Sequence, residues 1–311
     1  MKKTISLFLL VKLNGNIINR TMKYFLDTEF HEYKKKPLIG KAIDTIELIS
    51  IGIISEDVVN SYTLHYTGKK PNINEGVDNT WDRKTSTNFE ELQNEAIRKN
   101  SKQDGWKVKE NKKSGEYYAI CKEFDLKAAW NNEWLRENVL KSIWIELEIK
   151  HLQDYNSVLY IMNQDADWKT LIKEEFFKFD RLKNLLKEYG KTKKQIAEDI
   201  YDFCITYDST KSVKENNPEF YAYYADYDWV VFCWLFGRMI DLPKGFPMYC
   251  KDLKQILDES AVNYSNTRKL EPSLKLLKEH TKYPRQENEH NALADAKWNY
   301  ELYKFLNRLN D

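Results

Sequence analysis

Two acids near the start of the chain, Asp27 and Glu29, are placed where they could do metal chemistry. They lie within Lys23–Glu32, where Tyr24, Phe25 and Leu26 favour a short buried β-strand. Side chains on a strand alternate between faces, so Asp27 and Glu29 point the same way and Thr28 the other. Two carboxylates so close repel unless a cation sits between them. Hard oxygen ligands of this kind suit Mg²⁺ or Mn²⁺ better than zinc. Further along, Asp226 and Asp228 fall where a strand candidate turns into an apolar run, and His290 and Asp295 open the last periodic segment. An acid at a helix start is a common N-cap, for which Asp226 is the better candidate. That leaves one acid of the pair free for a metal.

These residues need elements to hold them. Thr45–Ile54 is a β-branched run typical of a central strand, and Glu116–Phe124 is a third strand candidate. Phe220–Tyr224 reads as a fourth strand, followed by a buried helix over Trp229–Phe236 with Gly237 near its end. The final segment, Glu289–Leu309, predicts a helix N-capped by Asn291. Asp295 falls in its first full turn between the small residues Ala294 and Ala296, and His290 precedes it on a loop mobile enough to swing toward a substrate. A lone histidine is more often structural, but this one stands five residues before an acid on the buried side of a helix.

The middle of the chain reads differently. Leu126–Leu140 and Ser142–His151 predict helices, with Trp130, Trp134, Leu135 and Leu140 as an apolar stripe. More helix is expected over Tyr155–Tyr189, as an insertion or small lid, and a clear amphipathic helix over Lys194–Cys204. Between Tyr66 and Gly115 lies a long polar stretch in which Ile97–Lys113 is mostly basic where charged. It reads as a solvated insertion, or as a basic arm for a phosphate backbone. No repeat or linker divides the chain, so one core domain with elaborations is the simplest account.

Length and charge set bounds. The 311 residues are 42% hydrophobic, enough for a packed core. A net charge of only +1 provides no global field for nucleic acid. Cys121, Cys204, Cys233 and Cys250 lie far apart among apolar neighbours and read as reduced core residues of a cytoplasmic protein. Residues 1–21 start like a secretory signal, but Lys12 interrupts a short apolar run and no cleavage site follows. They read as an N-terminal extension, with a targeting segment as the alternative. No run is apolar enough to predict a membrane span.

The constellation as a whole resembles the DEDDh 3′–5′ exonucleases of the ribonuclease-H-like superfamily. It consists of Asp27-x-Glu29 on a first strand, an acid at a strand-to-helix turn, and His290 five residues before Asp295. More narrowly, Tyr24–Glu32, Thr45–Gly52, Tyr224–Asp228 and His290–Ala296 resemble ribonuclease AS, a family of 3′-exoribonucleases acting on adenylate-rich RNA. The resemblance excludes residues 1–21 and two insertions, about 62–115 and 141–192, within a domain spanning 22–311. It implies an α/β fold, a ribonuclease-H-like mixed sheet flanked by helices in a single core domain. It selects Asp228 over Asp226. It also implies two divalent cations, Mg²⁺ or Mn²⁺, held by Asp27, Glu29, Asp228 and Asp295, with His290 as general base. The implied substrate is the 3′ end of single-stranded RNA, and the implied product a nucleoside 5′-monophosphate. A homodimer is suggested in the same way. Phe30 and Glu32, just past the acids, are candidates for the terminal nucleotide by stacking and hydrogen bonding, though Phe30 could equally be core. Two other readings are a DNA exonuclease of the same chemistry and a non-catalytic nucleic-acid-binding module. The module reading expects a missing ligand, and none of the four acids or the histidine is missing.

Overall fold

The structure is a computed structural model. It describes residues 22–37, 39–56, 60–66, 84–86, 94, 97, 106–112, 115–155, 172–204, 218–265 and 269–310. The N-terminal extension 1–21 lies outside the described residues, as do 156–171 and, apart from the strands and two single positions, the charged stretch 67–114.

The strands are β1 (Lys23–Lys35), β2 (Ile43–Ser55), β3 (Asn60–Tyr66), β4 (Lys84–Ser86), β5 (Trp106–Lys112), β6 (Glu116–Ile120), β7 (Glu219–Ala222) and β8 (Lys251–Asp252). Five of them form a sheet in the order β6-β2-β1-β7-β8. β1 and β6 run antiparallel to β2, while β7 is parallel to β1 and β8 parallel to β7. This is the mixed α/β sheet flanked by helices that was expected, and it is consistent with a ribonuclease-H-like exonuclease fold. Within the charged stretch, β4-β3-β5 pair as a small antiparallel sheet of their own.

The helices are α1 (Leu126–Asn131), α2 (Glu133–Leu135), α3 (Lys141–Tyr155), α4 (Phe179–Tyr189), α5 (Lys193–Cys204), α6 (Ala225–Phe236), α7 (Leu253–Ser265), α8 (Leu270–Lys278) and α9 (Ala292–Asn310). A π-helical turn, Arg136–Leu140, joins α2 to α3. Alternation along β1 divides the core. Tyr24 and Leu26 pack toward α5 and α6, whereas Phe25 packs toward α7, α8 and α9. A third cluster joins Ile49 of β2 and Ile120 of β6 to Val139, Leu140, Ile143, Trp144, Leu182 and Leu185. The described part of 141–192 is therefore no peripheral lid. Its apolar faces complete the covering of the sheet.

Trp144 is central to that third cluster, and its indole Nε1–H donates to Glu148 Oε1 at 3.0 Å. Glu148 also accepts from Arg181 Nε at 2.6 Å, which ties α3 to α4. Trp144→Ala should cost about 3–5 kcal/mol of unfolding free energy, measured by urea titration, as expected when a buried aromatic leaves a cavity.

Candidate active site

β1 carries the centre of the site. Beyond Phe25 its pairing with β7 stops, because β7 matches only Lys23, Tyr24 and Phe25. The free edge is capped by side chains. Asn299 of α9 donates its Nδ2–H to the Leu26 carbonyl at 3.0 Å. Asp228 of α6 accepts at Oδ1 from the Thr28 N–H at 2.8 Å and the Thr28 hydroxyl at 2.6 Å. Thr28, on the face away from the acids, thereby holds one of them. Asp228 is only 6% exposed.

On the other face, carboxylate oxygens of Asp27, Glu29 and Asp295 all lie within 4.8 Å of one another. α9 can bring Asp295 so close because of Gly52, which pairs with Asp27 across the β1–β2 ladder. A Cβ on Gly52 would sit 2.3 Å from the Ala292 carbonyl oxygen and 2.5 Å from the Leu293 Cα. Only glycine permits this approach. One step along, the ladder shifts register between Glu29 and Phe30. Such a bulge re-aims side chains beside functional sites.

Asp295 is held in place. Gln286 Nε2 donates to its Oδ1 at 2.7 Å and the His290 N–H to its Oδ2 at 3.0 Å. Asn291 caps α9 as expected, accepting from the Ala294 N–H at 3.0 Å, and its amide also donates to Glu146 of α3. His290 and Asn288 both have left-handed backbones, with φ of 67° and 54°. Strain of this kind in non-glycine residues clusters at functional sites. The His290 ring meets Trp134 of α2 edge to face, with centroids 4.7 Å apart.

The electrostatics match the crowding. Burial first, then the charges of Asp228, Glu29 and Asp295, drives the Asp27 pKa well above the usual carboxylate range. Burial, Asp295 and Asp228 push Glu29 up to about 8. Burial raises Asp228 to about 7, with the Thr28 hydrogen bonds opposing the shift. Asp295 is also raised by burial, against the pull of its Gln286 and His290 bonds. Among the described residues no lysine or arginine forms an ion pair with any of the four. A buried, uncompensated cluster of hard oxygen donors fits a divalent cation.

Two expectations are corrected. Asp226 is not the N-cap of α6. Tyr224 is, in a left-handed conformation at φ 57° and ψ 52°, and Asp226 is exposed in the first turn. Trp134 leaves the expected apolar stripe and is 53% exposed, because the extended backbone of Asn132 (φ −82°, ψ 108°) breaks the helix between Trp130 and Trp134. Phe30 packs against the α5–α6 side of the core and stacks on Tyr227 at 5.6 Å, and Glu32 is exposed. Thr28, Gly52, Gln286 and Asn299 are not singled out as site residues in the sequence, although Thr28 and Gly52 lie in segments that the resemblance quotes.

Residues 180–306, less than half of the chain, match the family model described as 3′-5′ exoribonuclease Rv2179c-like domain. The matched stretch includes Asp228, His290 and Asp295 but not β1 with Asp27 and Glu29. The match supports a 3′–5′ exoribonuclease. No curated protein gives a significant match to the chain. Among the described residues no helix is long and apolar enough to cross a membrane.

Two predictions follow from this geometry. Gly52→Ala should destabilise the fold by about 1–3 kcal/mol through overpacking and abolish the rise in Tm that Mg²⁺ gives the wild type, both read by thermal unfolding. The second concerns pH. Because the site carboxylates are raised in the folded state, their contribution to stability is complete below the ordinary carboxylate range and lost as pH rises through 7–8. In chelator, Tm should therefore fall by a few degrees, roughly, between pH 5.5 and 8.5, and Mg²⁺ should restore it at the higher pH.

Proposed function

We propose that this protein is a divalent-metal-dependent 3′–5′ exoribonuclease, shortening single-stranded RNA and releasing nucleoside 5′-monophosphates. The observation that carries the reading is the convergence of Asp27, Glu29 and Asp295 within 4.8 Å, with His290 hydrogen-bonded through its backbone to Asp295. The family match over residues 180–306 supports the reaction class. DEDDh chemistry and a preference for adenylate-rich RNA belong to this proposal through the resemblance of the motifs. So does a cytoplasmic setting, supported by four free cysteines.

Two cations, Mg²⁺ or Mn²⁺, held by Asp27, Glu29, Asp295 and Asp228 would stabilise the attacking and leaving oxygens of an in-line phosphoryl displacement. Each side chain then has a defined task. Asp27 stands between its partners and interacts with all three of the other acids. Asp228 is fixed by its two bonds to Thr28, so its carboxylate cannot turn away when the substrate phosphate arrives. His290, in its neutral form, accepts the proton of the attacking water. Its backbone N–H donates to Asp295 and its ring meets Trp134 edge to face, which supports that role beside the cluster.

Incubated with Mg²⁺, 5′-labelled RNA should shorten stepwise from its 3′ end, and chelator should stop it. His290→Ala should lower the rate about 10²–10⁴-fold, the usual contribution of a general base. Asp27→Asn should abolish activity while leaving Tm in chelator unchanged or raised, because it removes a like charge from the cluster. Internal cleavage, or hydrolysis of DNA in preference to RNA, would contradict the proposal.

A further inference from the structure

Beside the acids, a groove of about 800 Å³ runs between the α2–α3 arm and the outer face of α9. Its walls and the active site share one segment. Gln286 and His290 face Asp295, while Lys282, Pro284, Arg285, Asn288 and Asn291 line the groove. The segment is anchored on the groove side as well, where Trp298 Nε1–H donates to the Pro284 carbonyl at 3.2 Å. The acids and the groove are thus neighbours across this one segment.

The charges of the groove are unevenly satisfied. Lys141 pairs with Glu174 at 2.7 Å and Lys297 with Glu116 at 2.8 Å. The acidic wall residues Glu137 and Glu301 pair with Arg136 and Lys304, and Glu146 accepts from Asn291. Lys282, Arg285 and Arg308 form no ion pair among the described residues, and all three are exposed along the groove; the acidic wall residue Glu287 is likewise exposed and forms no ion pair among them, which leaves three such cations against one such acid. Trp298, half-buried, contributes aromatic surface between them, with Phe305 buried beneath the groove floor. Free cations flanking aromatic surface are the combination that holds a single strand by its phosphates and bases. The chain's net charge of +1 provides no general attraction that would make local cations redundant.

We propose that this groove holds the RNA strand on the 5′ side of the nucleotide being removed, with Lys282, Arg285 and Arg308 contacting its phosphates. The proposal rests on the exoribonuclease reading for the identity of the strand. It makes the protein a reader of strand length: longer oligonucleotides gain contacts that a dinucleotide cannot make. The cations lie outside the acid cluster, so their loss weakens binding of the strand's 5′ part and leaves the carboxylate arrangement intact.

The test measures binding of labelled RNA dinucleotide and octanucleotide to the full chain in chelator, by fluorescence anisotropy over a range of salt. The double variant Arg285→Ala with Arg308→Ala is compared with a control of equal charge loss on α8, Lys275→Ala with Lys278→Ala. The groove variant should lose roughly tenfold in octanucleotide affinity at low salt, and its salt slope should fall by about 1.4 for two single-strand phosphate contacts. The dinucleotide should change little, and the control pair should match the wild type. An equal loss for both lengths, no loss at all, or the same loss in the control pair would overturn the groove. Shortening of RNA by the wild type is scored separately with Mg²⁺. Octanucleotide binding through the groove without shortening would keep the groove and sink the exoribonuclease reading. Shortening with an unchanged binding ratio would do the reverse.

Discussion

Four carboxylates gathered around one strand repel one another, and much of the surrounding structure acts to keep them together. Asp27 and Glu29 are brought close by strand alternation alone. Asp295 and Asp228 arrive from helices on opposite faces of the sheet, each against burial and like charge. Burial raises the pKa values of all four, and for Asp27 and Glu29 the neighbouring acids of the cluster add to it. Opposing it are a few specific devices. Gly52 lets α9 touch the sheet, Asn299 fastens α9 to the Leu26 carbonyl, and Thr28 clamps Asp228. A cluster so arranged is unfavourable when ionised alone and favourable around a cation, which is the arrangement a metal-dependent phosphodiesterase requires.

The fold places these devices economically. β7 ends early, and the edge it leaves on β1 becomes the attachment point for side chains from α6 and α9. The arm from α1 to α3 packs through Leu135, Val139, Leu140 and Trp144 into the third core, so it is part of the domain. Its outer side supplies Trp134 against His290 and Glu146 against Asn291. The same arm forms one wall of the groove beside the site.

Much of this was legible in the sequence. The β-branched run of β2 and the aromatic run before Asp27 could hardly be anything but adjacent buried strands. The pairing of Asp27 with Glu29 follows from a period of two, and Asn291 as the cap of α9 follows from its residue type. What escaped has physical reasons. Alternation assigns Thr28 to the far face but cannot say that α6 waits there. Asp226 looked like the cap because the rule weighs side-chain acceptors, whereas the chain enters α6 through a left-handed tyrosine. Trp134 was assigned to the apolar stripe by a regular 3.6-residue period that the extended Asn132 breaks. Gly52, Gln286 and Asn299 act through contacts whose partners are set only by the tertiary fold. Asn299 and the carbonyl of Leu26 are 273 residues apart in sequence.

The central claim is that the acid cluster is a divalent-cation site. The most direct measurement is calorimetric titration of Mn²⁺ into the wild type and into Asp27→Asn at pH 8. The account predicts saturable binding of two ions per chain by the wild type and loss of that binding in the variant, with the fold intact in both. Equal Mn²⁺ uptake by the two proteins, or none by a folded wild type at millimolar metal, would contradict it.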